Sequence, residues 1–300
     1  MKILILLLLN LMQTNGISCE IDGTGGFAPE NNLNIDVNTK IKNNISKEEF
    51  NSVIDEVTAI YKPIIEGNGK DFIVNRHWYS GTVNASAQQK GDRWVINMYG
   101  GLARHELITR DGFAIVVCHE IGHHLAGAPK KTIGNGRNTT IRWASNEGQS
   151  DYFASLKCFR KVYAKEDNIS FISTLVIPKK VEGACRSIYQ EGSKYALCIR
   201  SSMAAQSTTN LLSSLSRGRR GRDNNKPLTD FNKPDLSVVL KTTHSHPKAQ
   251  CRLDTYFAAA LCDIDMNIDL DNANPRIGAC NRIDDQHQGA RSLCWYKPTI

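Results

Sequence analysis

Apolar positions along the chain fall into blocks with two different periods. From Ser46 to Ile65 they recur as Phe50, Val53, Ile54, Val57, Ile60 and Tyr61, the three-and-four spacing of one helix face, and Ser46 with Glu49 forms a capping box at its start. Asp71-Phe72-Ile73-Val74 and Arg93 to Met98 are short apolar runs that read as strands, with Gly91-Asp92 turning the chain into the second. Phe113, Ile115, Val116, Val117, Ile121 and Leu125 supply a broad apolar helix face that Asp111 can cap and that Gly127 and Pro129 stop. Beyond a loop over 128–140, Ser145 is expected to cap a helix running to about Val162, and a further helical stretch spans roughly 181–215. Two Lys-Pro pairs mark 227–243 as an extended connector, and a last helix runs through Leu261. Strands and helices in this mixture predict an α+β fold.

The N-terminus changes the compartment. Lys2, the run Ile3 to Leu9, and the small residues Gly16-Ile17-Ser18 before Cys19 read as a secretory signal over 1–18. A lipoprotein signal with Cys19 as its anchor is the alternative; ordinary cleavage and a periplasmic or extracellular destination are the expectation. Residues 19–45 are then an N-terminal arm rich in Gly and Asn, 46–262 the main domain, and 263–300 a tail clipped by cysteines. Nine cysteines suit an oxidising compartment. Spacing points to local bridges at Cys185/Cys198, Cys251/Cys262 and Cys280/Cys294, with Cys118 reduced in the core and Cys19 and Cys158 paired with each other or left free. The net charge of +7 is moderate. Arg217, Arg219, Arg220 and Arg222 could meet an anionic envelope surface, although an exposed loop explains them as well. Without interleaved aromatics the run gives no reason to expect nucleic acid.

The chemistry concentrates in Cys118-His119-Glu120-Ile121-Gly122-His123-His124. His119 and His123 are four apart and leave one face of a helix, so both can bind one zinc ion. Glu120 follows the first histidine and can act as general base on a water beside the metal without being a ligand. A catalytic zinc needs three protein ligands, and Glu147 at the start of the next helix can be the third. Asp151, one turn further on, can accept the hydrogen bond that fixes a ligand histidine's tautomer. His124 and His244 read as surface residues, and Cys118 as packing.

H-E-x-x-H followed by Asn-Glu-x-x-Ser-Asp resembles the gluzincin metallopeptidases, and within them the HtpX-like peptidases, whose relatives include CAAX prenyl proteases and periplasmic metallopeptidases. Val83-Asn84-Ala85 resembles that family's Asn-Ala element, Val95 to Leu102 its edge strand leading to Gly-Leu, and Phe113 to His123 its zinc helix. His246-Pro247 followed by Arg252 resembles its His-Pro…Arg element. The resemblance spans about residues 46–262. It implies a gluzincin-like core, with a small sheet whose edge strand packs on zinc-binding helices and a disulfide-clipped C-terminal extension. His124, the arginine run and the tail lie outside that pattern, as does the lack of transmembrane segments after the signal.

From these readings come one zinc per chain, Glu120 as general base and acid, and substrate main chain paired along residues 94–98. Asn84, Ala85, Trp94 and Ile96 are the expected substrate contacts. His246 is expected either to stabilise an oxyanion or to cap the helix after it, and Arg252 to pair with Asp151 or Glu147. The leading function is an exported endopeptidase acting on polypeptides. A non-catalytic envelope-binding or chaperone-like protein with a structural zinc is the alternative, and a hydrolase of non-peptide bonds a third reading.

Overall fold

The computed structural model describes residues 26–39, 43, 45–133, 140–217 and 228–298. The signal segment, Cys19, Arg219, Arg220 and Arg222 lie outside the described residues, and Arg217 is the last residue of a helix. Helix α1 (Lys47–Gly67) begins on the expected capping box, with Ser46 Oγ accepting from Glu49 N–H and Glu49 accepting from Ser46 N–H. Strands β1 (Asp71–His77), β2 (Ala85–Lys90) and β3 (Arg93–Tyr99) follow, then the short α2 (Gly100–Ala103) and α3 (Arg110–Leu125), which carries the two histidines. A hairpin of β4 (Lys130–Ile133) and β5 (Thr140–Ser145) leads into α4 (Glu147–Phe153). That helix passes through a π-helical stretch, Ala154–Phe159, into α5 (Arg160–Tyr163). Then come α6 (Asn168–Ile172), α7 (Lys179–Tyr189), α8 (Ser193–Arg217) and α9 (Ala249–Leu261). The fold is mixed α+β with small sheets, and among the described residues no helix is long and apolar enough to cross a membrane.

The three-stranded sheet has the order β1-β3-β2, with β1 parallel and β2 antiparallel to β3. Residues 94–98 are therefore hydrogen-bonded on both sides: Trp94 lies between Phe72 and Gln89, and Ile96 between Val74 and Ala87. The expectation that this strand is an edge open to substrate is wrong. A crossover by way of β2 places the third strand in the middle, and the two edges belong to β1 and β2.

Two caps also differ. Helix α3 is capped by Thr109, whose Oγ1 accepts from Gly112 N–H, while Asp111 forms a buried pair with Arg200 at 2.7 Å. Helix α4 is capped by Asn146 rather than Ser145, whose Oγ instead donates to Gly127 O at 2.6 Å. The stretch expected as one helix over 181–215 is two, α7 and α8, broken at Gln190 and Gly192, both with positive φ.

The core is made by α3, which packs on α1, α4, α8 and the π stretch. The tail is built into it: Trp295 is wholly buried, its indole lies where a side chain at position 148 would sit, and its Nε1 donates to Thr255 Oγ1. Only glycine at 148 leaves room for that ring.

Cys185–Cys198 forms as spacing predicts. The other pairings need correction. Cys118 is not reduced but bonded to Cys158, which ties the middle of α3 to the π stretch. Cys251 pairs with Cys294 and Cys262 with Cys280, not Cys251 with Cys262 or Cys280 with Cys294. Cys251 and Cys262 lie near opposite ends of α9, too far apart along a helix rising about 1.5 Å per residue for a bridge. Peptide mapping under non-reducing conditions should recover the Cys118–Cys158 and Cys251–Cys294 peptides. Replacing Cys118 and Cys158 together by serine should lower the stability to denaturant by about 2–4 kcal/mol.

Candidate metal centre

Helix α3 presents His119 and His123 one turn apart, and α4 brings Glu147 against them from its first turn. All three are wholly buried. His119 Nδ1 donates to Asp151 Oδ1 at 2.8 Å, and His123 Nδ1 donates to Ser145 O at 2.9 Å. Each ring is thereby held in the tautomer that leaves its Nε2 lone pair pointing inward. Those two Nε2 atoms and Glu147 Oε2 are buried and lack a hydrogen-bond partner, although His119 Nε2 is 3.3 Å and His123 Nε2 3.8 Å from that oxygen.

Three converging buried donors without protein hydrogen-bond partners fit a cation. Ligands about 2.0–2.1 Å from a tetrahedral zinc stand about 3.3–3.4 Å from one another, close to the separations found. His119, His123 and Glu147 lie within 4.8 Å of one another as a set that omits His246. Three ligands leave a fourth position open. The other cluster of possible ligands, Asp235 with Cys251 and Cys294, has both sulfurs in a disulfide.

Glu120 is also wholly buried, with neither carboxylate oxygen hydrogen-bonded. Burial, reinforced by Glu147 and only partly offset by His119, pushes its pKa up to about 8. Burial alone would depress His119, but Asp151 and Glu147 outweigh it and hold that imidazole up at about 9. Burial dominates at His123 and keeps it well below its ordinary value. At Glu147 burial raises the pKa, but His246, His123 and His119 together hold it well down. Because a ligand imidazole must be neutral and a ligand carboxylate ionised, a metal ion would compete with protons for this cluster.

Asp151 is the hub beneath the histidines. Arg252 makes a two-point contact with it, Nε to Oδ2 at 2.8 Å and Nη2 to Oδ1 at 2.6 Å, and Tyr256 Oη donates to the same Oδ1. Of the two partners expected for Arg252, Asp151 is the one it takes. His246 does not cap α9, whose first turn has no side-chain cap. Its Nε2 is 3.5 Å from Glu147 Oε2 and donates to Gly26 O at 2.7 Å.

The expected substrate contacts divide. Asn84 and Ala85 lie at the start of β2, but their polar groups meet residues 26–28 of the same chain. Trp94 and Ile96 belong to the central strand, and Ile96 is in the core. His124 is not at the surface. It is buried between Trp94 and Trp143, with ring centroids 4.9 and 4.8 Å away, and burial lowers its pKa to about 3. His244 is half-buried rather than exposed.

Several contributors were missed from sequence. Lys131 reaches Glu147 Oε1 at 3.3 Å, and Ser150 Oγ lies 3.1 Å from His123 Nδ1. Tyr256 had a readable signal, one helical turn after Arg252. Phe27, whose ring stands edge-on to His119 at 5.1 Å, had none. Comparison with protein families, with curated proteins and with solved structures finds no match to this chain.

Removing Arg252 would strand a buried carboxylate. Arg252→Met should cost about 3–5 kcal/mol of stability in denaturant titrations. Arg252→Lys, which keeps the charge but loses the planar fork, should cost less.

Proposed function

We propose that the protein is an exported zinc-dependent endopeptidase of gluzincin type, resembling the HtpX-like family. The observation carrying this reading is the three-ligand set with an unpaired, wholly buried Glu120 beside it. His119, His123 and Glu147 would hold the ion. When bound, zinc supplies a Lewis acid that makes a water acidic near neutral pH and polarises a carbonyl. The residues do the rest. Glu120 accepts the water's proton and delivers it to the leaving nitrogen. His246 donates a hydrogen bond to the carbonyl oxygen as negative charge grows there. Asp151 and Arg252 keep His119 oriented, and the start of β2 at Asn84-Ala85 pairs with the substrate main chain. Disulfides in the described fold support an oxidising destination.

Complete burial of the centre favours the alternative, a structural zinc in a binding protein. A closed structural site requires four protein ligands, and among the described residues the set that converges has three. A general base held apart from the ligands has no use in such a site.

With zinc loaded, wild type should cleave an unfolded protein such as casein, whereas Glu120→Gln should be silent while still binding one zinc by metal analysis. Equal cleavage by both would sink the proposal. His246→Ala should retain zinc and lose about 10²–10³-fold in kcat.

A further inference from the structure

The centre is closed by the chain itself. Residues 26–28 run beside the start of β2, and their main-chain groups bond to Ala85, Asn84, Arg252 and His246, the last two of which also reach the residues of the centre. Phe27 N–H donates to Ala85 O at 2.8 Å, and Ala28 N–H donates to Asn84 Oδ1 at 2.9 Å. Asn84 Nδ2 donates back to Ala28 O at 3.3 Å, and Arg252 Nη1 donates to Phe27 O at 2.7 Å. The remaining carbonyl, Gly26 O, takes the His246 hydrogen bond at 2.7 Å, on the nitrogen that stands 3.5 Å from ligand Glu147. Phe27 is wholly buried, its ring against His119.

A loop that merely fills space has no reason to offer each of these groups to the centre's own donors and acceptors. An extended peptide lying across a hydrolytic site does so, because main-chain pairing sets the register and one side-chain pocket sets the position. In that register one carbonyl is singled out. Gly26 O alone meets the donor that serves the reacting oxygen, and the groups holding Phe27 and Ala28 fix the leaving side. Gly26 has φ +90°, and a β-carbon there would stand 2.8 Å from both Asn84 Oδ1 and Nδ2, so only glycine presents its carbonyl this way.

Resting on the peptidase reading, we infer that the Gly26–Phe27 peptide bond is the site's own first substrate and that the protein cuts itself there. A water oxygen bonds to the Gly26 carbonyl carbon while Glu120 takes one of its protons. Glu120 passes that proton to Phe27 nitrogen as the C–N bond breaks. The new acid at Gly26 ionises, and its proton ends on the same nitrogen. The products are a Gly26 carboxylate and a Phe27 ammonium. The cut frees His246 Nε2 from Gly26 O, while Phe27 and Ala28 stay on Arg252, Asn84 and Ala85.

The test uses the full chain with zinc, as wild type and as Glu120→Gln, read by N-terminal sequencing and intact mass. Wild type should begin at Phe27, by a process whose rate does not depend on protein concentration, and Glu120→Gln should keep the preceding residues. Gly26→Ala should slow the cut at least tenfold. Docking is read without turnover: in metal-free Glu120→Gln, hydrogen exchange at the Phe27 amide should be at least tenfold slower than in the same chain carrying Asn84→Ala. Wild type that keeps its residues before Phe27 yet cleaves casein overturns self-cleavage and leaves the peptidase standing. Failure to cut either takes both down. A Phe27 terminus on Glu120→Gln as well, or unprotected exchange at Phe27, also overturns the inference.

Discussion

The fold around the centre depends on one buried carboxylate. Asp151 sits with no exposure on a helix whose neighbours are aliphatic and aromatic, where an isolated charge would be costly. Burial alone would raise its pKa, yet Arg252 and then His119 hold it below the ordinary carboxylate range. Three elements are fixed by that one group: α3 through His119, α4 through Asp151 itself, and α9 through Arg252 and Tyr256. The Arg252 guanidinium also reaches Phe27 O and lies 4.5 Å from the Phe27 ring, so the N-terminal segment is drawn into the same network. A charge that must be satisfied from several sides specifies an arrangement more sharply than apolar packing does, since each partner is needed at a particular atom.

Local chemistry was legible in the sequence because it is written in short spacings. The capping box of α1 needs only Ser46 and Glu49, and the histidine pair needs only a helical turn. Glu147 and Asp151 were readable for the same reason, being one turn apart at a helix start. What failed was non-local. Strand order turns on how a segment before β2 and one after it find each other, and no period in 93–99 tells a middle strand from an edge. The cysteines were assigned by nearness in sequence, yet Cys251 bonds across 43 residues and Cys118 across 40 because helices bring them together. His124 was misplaced because residue type alone says polar, whereas two tryptophans, neither adjacent in sequence, make a buried slot for a flat neutral ring.

The closure of the centre has the same origin. Phe27 and Arg252 meet across 225 residues, and the arm around Phe27 is rich in glycine and asparagine with no periodicity to mark it. Read from sequence, it is an arm. In the fold it supplies an apolar plug against His119, and residues further along it stay attached to the domain: Ile35 is buried, and Arg104 donates to its carbonyl through Nε and Nη2 at 3.1 and 2.9 Å.

That anchoring bears on how a buried hydrolytic centre can be reached at all. Parting α3 from α4 would break the Asp151 network and is opposed by the Cys118–Cys158 bond, so it is not a low-energy route. The N-terminal cover is different in kind, because Gly26 has one described hydrogen bond, from a half-buried histidine, whereas Phe27 and Ala28 have four, three of them with side chains. A break between Gly26 and Phe27 therefore falls between one described contact and four. It leaves the described contacts of Phe27 and Ala28 with Arg252, Asn84 and Ala85 in place.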